Sequence, residues 1–108
     1  MDNARVARLS FKKTYVEPIL DGTKTSTLRK TTNLEPGERV TLTCRWGDPP
    51  FAEATVTRVS EVRLDAVDFE LAHAEGFDTP EALVKVLGEL YPDQEQFVRI
   101  DFVVHAGD

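Results

Sequence analysis

The stretch Gly22-Thr23-Lys24-Thr25-Ser26-Thr27-Leu28-Arg29-Lys30 concentrates hydroxyl side chains around the cations Lys24 and Arg29. A short predicted helix precedes it, and Gly22 stands where a helix end favours a residue with positive φ. The β-branched residues that follow predict a strand over Ser26–Lys30. We therefore expect the chain to turn sharply before Lys24, and we expect any chemistry to begin in this stretch.

The spacing of Lys24 and Thr27 sets a geometric condition on a joint role for the two residues. On a regular strand they would point to opposite faces, because three is an odd step and side chains alternate. They converge on one cavity only if Lys24 lies in the turn, before strand geometry begins. The glycine at position 22 makes such a turn feasible.

The segments on both sides of this stretch alternate between strand and helix patterns. Before it, Leu9 and Phe11 predict a short strand, and a capping box from Thr14 to Glu17 predicts a helix over Tyr15–Asp21. After it, a turn at Pro36-Gly37 leads to a predicted strand over Arg39–Trp46 and a long strand over Phe51–Leu64, with a bulge or bend at Val59. Two helices are predicted next: one from Asp65, its cap, to about Ala74, and one that Thr79 and Pro80 start and Tyr91-Pro92 stops. A closing strand is predicted over Val98–Val104.

This order, β-α-β-β-β-α-α-β, predicts an α+β fold: a small mixed β-barrel with short helices packed at its ends. The 108 residues are expected to form one domain over positions 1–108. A content of 41% hydrophobic and 30% charged residues is that of a globular protein and not of a disordered one.

Charge and cysteine content restrict the class of protein. Residues 1–30 carry seven Lys or Arg and three Asp or Glu, a net charge of +4, whereas residues 31–108 carry six and sixteen, a net charge of −10. The total of −6 disfavours a protein that coats nucleic acid, although an anionic partner near the basic end stays open. No apolar run reaches the roughly 20 residues of a membrane span. The single cysteine, Cys44, predicts a reducing, cytoplasmic location, and we expect a monomer or weak dimer.

The motif Gly22-x-Lys24-Thr25-x-Thr27-x-Arg29 resembles that of the ASCH domains, which have a PUA-like barrel. The later segments Ala-x-x-Glu75-Gly-Phe77, Tyr-Pro and Val-x-Ile-x-Phe extend the resemblance from about Leu9 to Val104. Within that family the chain is most similar to the small bacterial amidohydrolases that deacetylate N4-acetylcytidine. The resemblance implies catalytic roles for Lys24, Thr27 and Glu75. We also expect substrate contacts from Arg29, Thr25 and Phe77, and no metal or other cofactor.

Amide hydrolysis of an N4-acylcytosine requires a nucleophile, a base, a donor to the oxyanion and an acid for the leaving nitrogen. The hypothesis is that Thr27 attacks, Lys24 takes its proton, and Glu75 protonates the leaving amine. A lysine base needs its pKa lowered by about 3 units, which burial and a neighbouring cation can supply. Arg29 either helps to lower that pKa or stabilises the oxyanion. A water nucleophile beside a Lys24–Glu75 salt bridge is the alternative mechanism.

Other residues leave further alternatives open. An RNA-binding or RNA-processing module using the same cleft is the alternative function, with RNA as the partner instead of a small nucleoside. Lys12, Lys13 and Lys30 are either surface charges or contacts to a ligand phosphate. Trp46 is either a packing residue or a platform for base stacking, and Phe77 either lines the pocket mouth or packs in the core. His73 and His105 lack the spacing of metal ligands.

Overall fold

The computed structural model describes residues 7–44 and 49–105. Short 3-10 turns precede the first helix, at Lys13–Tyr15, and follow the long strand, at Leu64–Ala66. The described strands and α-helices are, in chain order, β1 (Ala7–Ser10), α1 (Val16–Leu20), β2 (Ser26–Arg29), β3 (Arg39–Thr43), β4 (Ala52–Arg63), α2 (Phe69–Ala74), α3 (Pro80–Leu90) and β5 (Gln96–Val104). This order confirms the predicted one. Trp46, for which base stacking was one alternative, lies outside the described residues.

The five strands form one sheet in the order β1-β3-β4-β5-β2. Strands β1 and β3 pair in parallel, and every other neighbouring pair is antiparallel. Strands β1 and β2 are the two ends of this sheet, and the Arg29 side chain bridges them by donating from Nη2 to the carbonyl of Ser10 at 2.9 Å. The α+β class with one curved sheet and short helices is therefore confirmed. The Arg29 side chain links the two end strands, β1 and β2.

The predicted bulge in the long strand is present, two residues earlier than expected. The register of β4 against β5 shifts between Val56 and Arg58. One extra residue in a strand reverses the facing of all residues beyond it. Val59 therefore pairs with Ile100 and packs against the same core cluster as Val56, although the two residues are an odd step apart.

Two hydrophobic clusters stabilise the fold. The first lies within the curved sheet and contains Phe11, Val40 and Ile100 among its buried members. The second lies between the sheet and the helices, and it joins Leu28 and Phe97 to the apolar stripe of α3. In the part of the chain that the structure covers, no helix has the length and apolarity that crossing a membrane requires.

Two of the predicted helix caps are wrong. Asp68, not Asp65, caps α2: its Oδ1 accepts from the backbone N–H of Leu71 at 2.9 Å. Asp65 lies in the preceding 3-10 turn and pairs with Arg63. At the first helix the capping box is absent, because Thr14 lies inside a 3-10 turn and α1 begins at Val16 without a side-chain cap.

The predicted cap of the longest helix is confirmed. Thr79 Oγ1 accepts from the backbone N–H of Ala82 at 3.2 Å, and Pro80 occupies the first helical position. Proline is favoured there because its missing N–H would have no partner within the helix. The three helices are short, and their packing against the sheet places the end of α2 beside the start of β2.

Candidate active site

A tight turn places Lys24 before β2 begins. Gly22 ends α1 with φ of +87°, and its N–H donates to the carbonyl of Ile19 at 3.3 Å. The N–H of Lys24 then donates to the carbonyl of Pro18 at 2.9 Å, which folds the chain back onto the helix. Strand geometry begins only at Ser26. The geometric condition for Lys24 and Thr27 to face one cavity is thus satisfied.

A second turn delivers Glu75 to the same place. Glu75 is the C-cap of α2, and Gly76 follows it with φ of +92°. A Cβ on Gly76 would lie 3.6 Å from Lys24 Cβ, so the turn packs directly on the lysine stem. The N–H of Thr25 donates to the carbonyl of Ala74 at 2.7 Å and joins the two turns. Residues 51 positions apart in sequence therefore meet through two glycine turns.

Lys24 and Glu75 form a buried ion pair. Only 3% of Lys24 and 4% of Glu75 is exposed. Lys24 Nζ donates to Glu75 Oε1 and to the Glu75 carbonyl, at 3.1 Å each. The other carboxylate oxygen, Oε2, accepts from Ser26 Oγ. The ring of Tyr15 lies with its centroid 4.9 Å from Lys24 Nζ, within the range of a cation–π contact.

Burial brings the proton affinities of the two groups closer together. Loss of hydration lowers the pKa of Lys24, and the charge of Arg29 lowers it further, whereas the Glu75 carboxylate opposes both effects. Loss of hydration likewise raises the pKa of Glu75, against the charge of Lys24 and the hydrogen bond from Ser26. An amine that yields its proton easily thus contacts a carboxyl that accepts one easily. Such a pair can exchange protons with a substrate more readily than the same groups in water.

Thr27 and Arg29 form the second part of the site. Thr27 is 5% exposed, and its Oγ1 accepts from Arg29 Nε at 3.0 Å. The guanidinium of Arg29 also lies over the ring of Phe11, with 5.1 Å from Cζ to the centroid. In the described ranges no hydrogen bond joins Lys24 to Thr27, so the hydroxyl proton of Thr27 is not committed to Lys24 in this structure.

These groups border one cleft of about 230 Å³. One wall is polar and carries Lys24, Thr27, Arg29 and Glu75, with Lys12 at its edge. The rest of the lining is largely apolar, and α3 supplies the largest share of it. The apolar and aromatic lining residues are Phe11, Tyr15, Leu28, Phe77, Leu83, Val86, Leu87, Leu90 and Tyr91. A small organic group can therefore lie against an apolar face with its polar atoms on Lys24, Thr27 and Arg29.

The structure does not bring Thr25 into this cleft, although it is a predicted substrate contact. Its side chain is exposed and borders a separate concavity of about 490 Å³, together with Leu20, Val103 and His105. Thr25 lies in the turn before β2, so it does not share the facing of Thr27, which strand parity alone would have given it. Phe77 does line the cleft, and its packing against the helical core cluster shows that its two proposed roles are compatible.

Two residues of the site were missed by sequence reasoning. Ser26 carries a signal, because it shares strand parity with the apolar Leu28 and a polar residue on a buried face needs a partner. Tyr15 carries none, since only the fold of the preceding turn brings its ring over Lys24. Over residues 7–44 and 49–105, no group of three or more His, Cys, Asp or Glu side chains gathers in a metal-binding arrangement.

Comparisons with known proteins identify relatives of this chain. No protein-family model matches the chain. A protein named N(4)-acetylcytidine amidohydrolase from Klebsiella pneumoniae is 33% identical over 96 residues, which cover 87% of this chain and 92% of that protein. The protein of the same name from Edwardsiella ictaluri is 32% identical over 96 residues, with 87% of this chain and 89% of that protein covered.

Solved structures show the same fold. The ASCH domain from Lactobacillus crispatus superposes with a TM-score of 0.73 at 17% identity, covering 92% of this chain and 79% of that one. The ASCH protein from Zymomonas mobilis superposes with a TM-score of 0.68 at 13% identity, covering 89% of this chain and 65% of that one. The fold is thus that of the ASCH domains, and the chain belongs to the N(4)-acetylcytidine amidohydrolase family.

Proposed function

We propose that this protein hydrolyses the N4-acyl amide of N4-acetylcytidine or a related nucleoside, giving cytidine and a carboxylate. The observation that carries the proposal is the buried Lys24–Glu75 ion pair, which shares one wall of a cleft with Thr27. Family membership supports the same activity, because the relatives that cover most of the chain are named for it.

In the proposed reaction Thr27 is the nucleophile. Its Oγ1 forms a bond to the acyl carbon while the hydroxyl proton passes to Lys24 Nζ, which must be neutral at that moment. The tetrahedral intermediate places its negative charge near Arg29, which already contacts Thr27 Oγ1. The carbon–N4 bond then breaks, and Glu75 gives its proton to the departing amine. Water hydrolyses the acyl-threonine ester and restores the enzyme.

The Lys24–Glu75 pair suits this sequence because it holds one proton between two sites. With the proton on the carboxyl, the pair offers a neutral amine as base and a carboxylic acid as proton donor. With the proton on the amine, the resting ion pair forms. The apolar wall limits access of water, which strengthens the effect of Arg29 on the oxyanion.

A water nucleophile is the alternative to attack by Thr27. In that route the ion pair activates a water molecule, and Thr27 only orients the carbonyl of the substrate. The hydrogen bond from Arg29 to Thr27 Oγ1 favours attack by Thr27, because it leaves the hydroxyl proton free to be transferred while the cation stabilises the developing charge. An acetyl adduct on Thr27, detected by intact mass after rapid quenching, distinguishes the two routes.

The cleft supports a small substrate. Its volume of about 230 Å³ lies below the ~300–1,000 Å³ of typical drug-sized ligand pockets. A cytosine ring and its acyl group require only a few polar contacts, and the ribose would lie toward Lys12 at the edge. Whether the cytidine is free or part of an RNA chain depends on what continues beyond the ribose, so both substrates belong in the test.

The test measures cytidine release by chromatography, with free N4-acetylcytidine and an acetylated RNA oligomer as the two substrates. We expect the wild type to release cytidine. Lys24→Ala should lose at least about 1,000-fold in kcat/KM, because the variant lacks both the general base and the positive charge of the Lys24 amine. Lys30→Ala is the matched control, since this neighbouring lysine is exposed and lies outside the cleft. It should keep the wild-type rate.

Two outcomes would contradict the proposal. Wild-type turnover by Lys24→Ala would remove the buried pair from the reaction. Failure of the wild type to release cytidine from either substrate, combined with measurable binding of the RNA oligomer, would support the RNA-binding module that uses the same cleft. Release from the oligomer alone would keep the chemistry and make RNA the substrate.

A further inference from the structure

Ser26 is a fully buried hydroxyl of the site that no step of the proposed reaction uses. It is 0% exposed, and its Oγ donates to Glu75 Oε2. The side chain does not line the cleft, so it has no direct access to a substrate there. A buried hydroxyl would cost stability if it had no partner, and its partner here is a residue of the reaction.

Strand geometry explains how Ser26 reaches Glu75. Ser26 begins β2 and shares its facing with Leu28, which packs in the cluster between the sheet and the helices. Helix α2 lies in that layer and ends at Glu75. Ser26 therefore reaches the Glu75 carboxylate from the first position of β2. Lys24 reaches it from the turn before β2.

Each carboxylate oxygen of Glu75 has its own donor. Lys24 Nζ binds Oε1, and Ser26 Oγ binds Oε2. These are the side-chain hydrogen bonds of the Glu75 carboxylate within the described residues. Because Glu75 is only 4% exposed, water has little room to replace either donor.

We propose that Ser26 is a positioning residue for the reaction: its hydroxyl holds one oxygen of Glu75, so that the other stays on Lys24 Nζ at the wall of the cleft. This inference rests on the proposed deacylation, in which Lys24 and Glu75 exchange protons with the substrate. Ser26 acts only through Glu75. Its removal should therefore lower kcat and leave KM nearly unchanged.

The charged and titratable groups around Glu75 fix the sign of the expected pH effect. Lys24 in the turn and Arg99 on β5 favour the ionised carboxylate, as does the Ser26 hydrogen bond. Tyr15, before α1, and Arg29, at the end of β2, also sense the Glu75 charge. Loss of the Ser26 hydroxyl removes one stabiliser of the carboxylate, which raises the pKa of Glu75 further. The acid limb of the kcat/KM profile should then move to higher pH.

The experiment compares Ser26→Ala and Ser26→Cys with the wild type over a range of pH. Cysteine nearly keeps the volume of serine but is a weak donor, so it separates a lost hydrogen bond from an empty space. We expect kcat to fall roughly tenfold to a hundredfold in both variants, the effect of one hydrogen bond to a charged group. KM should stay within about twofold, and the acid limb should shift upward.

Thr43→Val is the matched control. Thr43 is 1% exposed, and its hydroxyl has no hydrogen-bond partner among the residues described. It lies on β3 and does not line the cleft. Removing this hydroxyl should leave kcat and the acid limb unchanged. An equal loss in Thr43→Val and in both Ser26 variants would overturn the inference, because any buried hydroxyl would then have the same effect.

A titration of the Glu75 carboxyl carbon by ¹³C NMR tests the contact without any substrate. A higher pKa of Glu75 in Ser26→Cys than in the wild type supports the inference. An unchanged pKa overturns it. Wild-type kcat and pH profile in folded Ser26 variants also overturn it, while the deacylation itself stands. If the wild type releases no cytidine, the deacylation fails, and a shifted titration still supports the contact between Ser26 and Glu75.

Discussion

Burial of the Lys24–Glu75 pair opposes stability, because both residues lose the hydration of their charges. Removing two charges from water costs several kcal/mol for each ion, and their attraction repays this only in part. Hydrophobic residues of similar size would pack the same space at lower cost. The proposed reaction gives the pair a use other than stability, since it places an amine of lowered pKa against a carboxyl of raised pKa at the wall of a cleft.

Replacing both charges should separate stability from activity. We expect Lys24→Met alone to lower the free energy of unfolding by about 3–5 kcal/mol, because it leaves Glu75 buried without its cation. The double variant with Glu75→Leu should recover to within about 1 kcal/mol of the wild type, or exceed it, and remain inactive. Urea denaturation measures the first effect and cytidine release the second.

A surface pair supplies the control for this cycle. Arg39 Nη2 lies 2.7 Å from Glu53 Oε1, and both side chains are more than half exposed. The same double-mutant cycle there should show little coupling. A double variant no more stable than Lys24→Met would show that the buried pair serves stability and would weaken the catalytic explanation. Equal coupling energies at the two pairs would contradict the expected loss in Lys24→Met, because burial would then not strengthen the interaction.

Among the secondary-structure elements, two short helices end in glycine turns that bring Lys24 and Glu75 together. The sequence predicts the first turn well, because a glycine after a short helix and before a β-branched run has few other uses. It predicts the second less well, since α2 starts from Asp68 and not from Asp65. Both aspartates suit a cap, but Asp65 lies inside the 3-10 turn Leu64–Ala66, so α2 begins only after Asp68.

The contact between Ser26 and Glu75 also exceeds what local patterns predict. The motif places Lys24 and Thr27 in a turn and a strand, and the geometric condition on them follows from parity alone. The partner of Ser26 depends on where α2 ends, 49 residues later, which no local pattern records. Likewise, Thr25 belongs to the motif, yet its facing excludes it from the cleft.

A matched pair of glycine substitutions tests the importance of the first turn. Gly22 and Gly37 have φ of +87° and +92°, and a Cβ on either would meet nothing within 4 Å. Alanine should therefore cost each site a similar ~1–2 kcal/mol from backbone strain alone. Gly37 lies in the turn before β3, away from the cleft, whereas Gly22 positions Lys24.

We expect Gly22→Ala to lose activity by tenfold or more, because a displacement of about 1 Å in a catalytic group can cost ~100-fold. Gly37→Ala should keep wild-type kcat. Thermal or urea unfolding checks that the two variants are equally destabilised, and cytidine release compares their rates. Equal activities in two equally destabilised variants would mean that the turn at Gly22 does not position Lys24.

At the scale of the whole molecule, charge is distributed unevenly along the chain. Residues 1–30 contribute +4 and residues 31–108 contribute −10 to the net charge of −6. Two of the basic side chains near the cleft are already occupied: Lys24 by Glu75, and Arg29 by Thr27 and Ser10. Lys12 also lines the cleft and is exposed, so a substrate can reach it. A neutral nucleoside suits this balance better than a long polyanion.

The salt dependence of KM tests this argument. For free N4-acetylcytidine we expect KM to change less than about twofold between 50 and 500 mM salt, because a neutral substrate releases no counterions on binding. For an acetylated RNA oligomer, a phosphate contact at Lys12 would give a slope of about −0.7 in a plot of log affinity against log salt. Lys12→Ala should then abolish that slope and leave the nucleoside KM unchanged. A slope several times steeper would imply a phosphate-binding surface far larger than the cleft, and RNA would replace the nucleoside as the substrate.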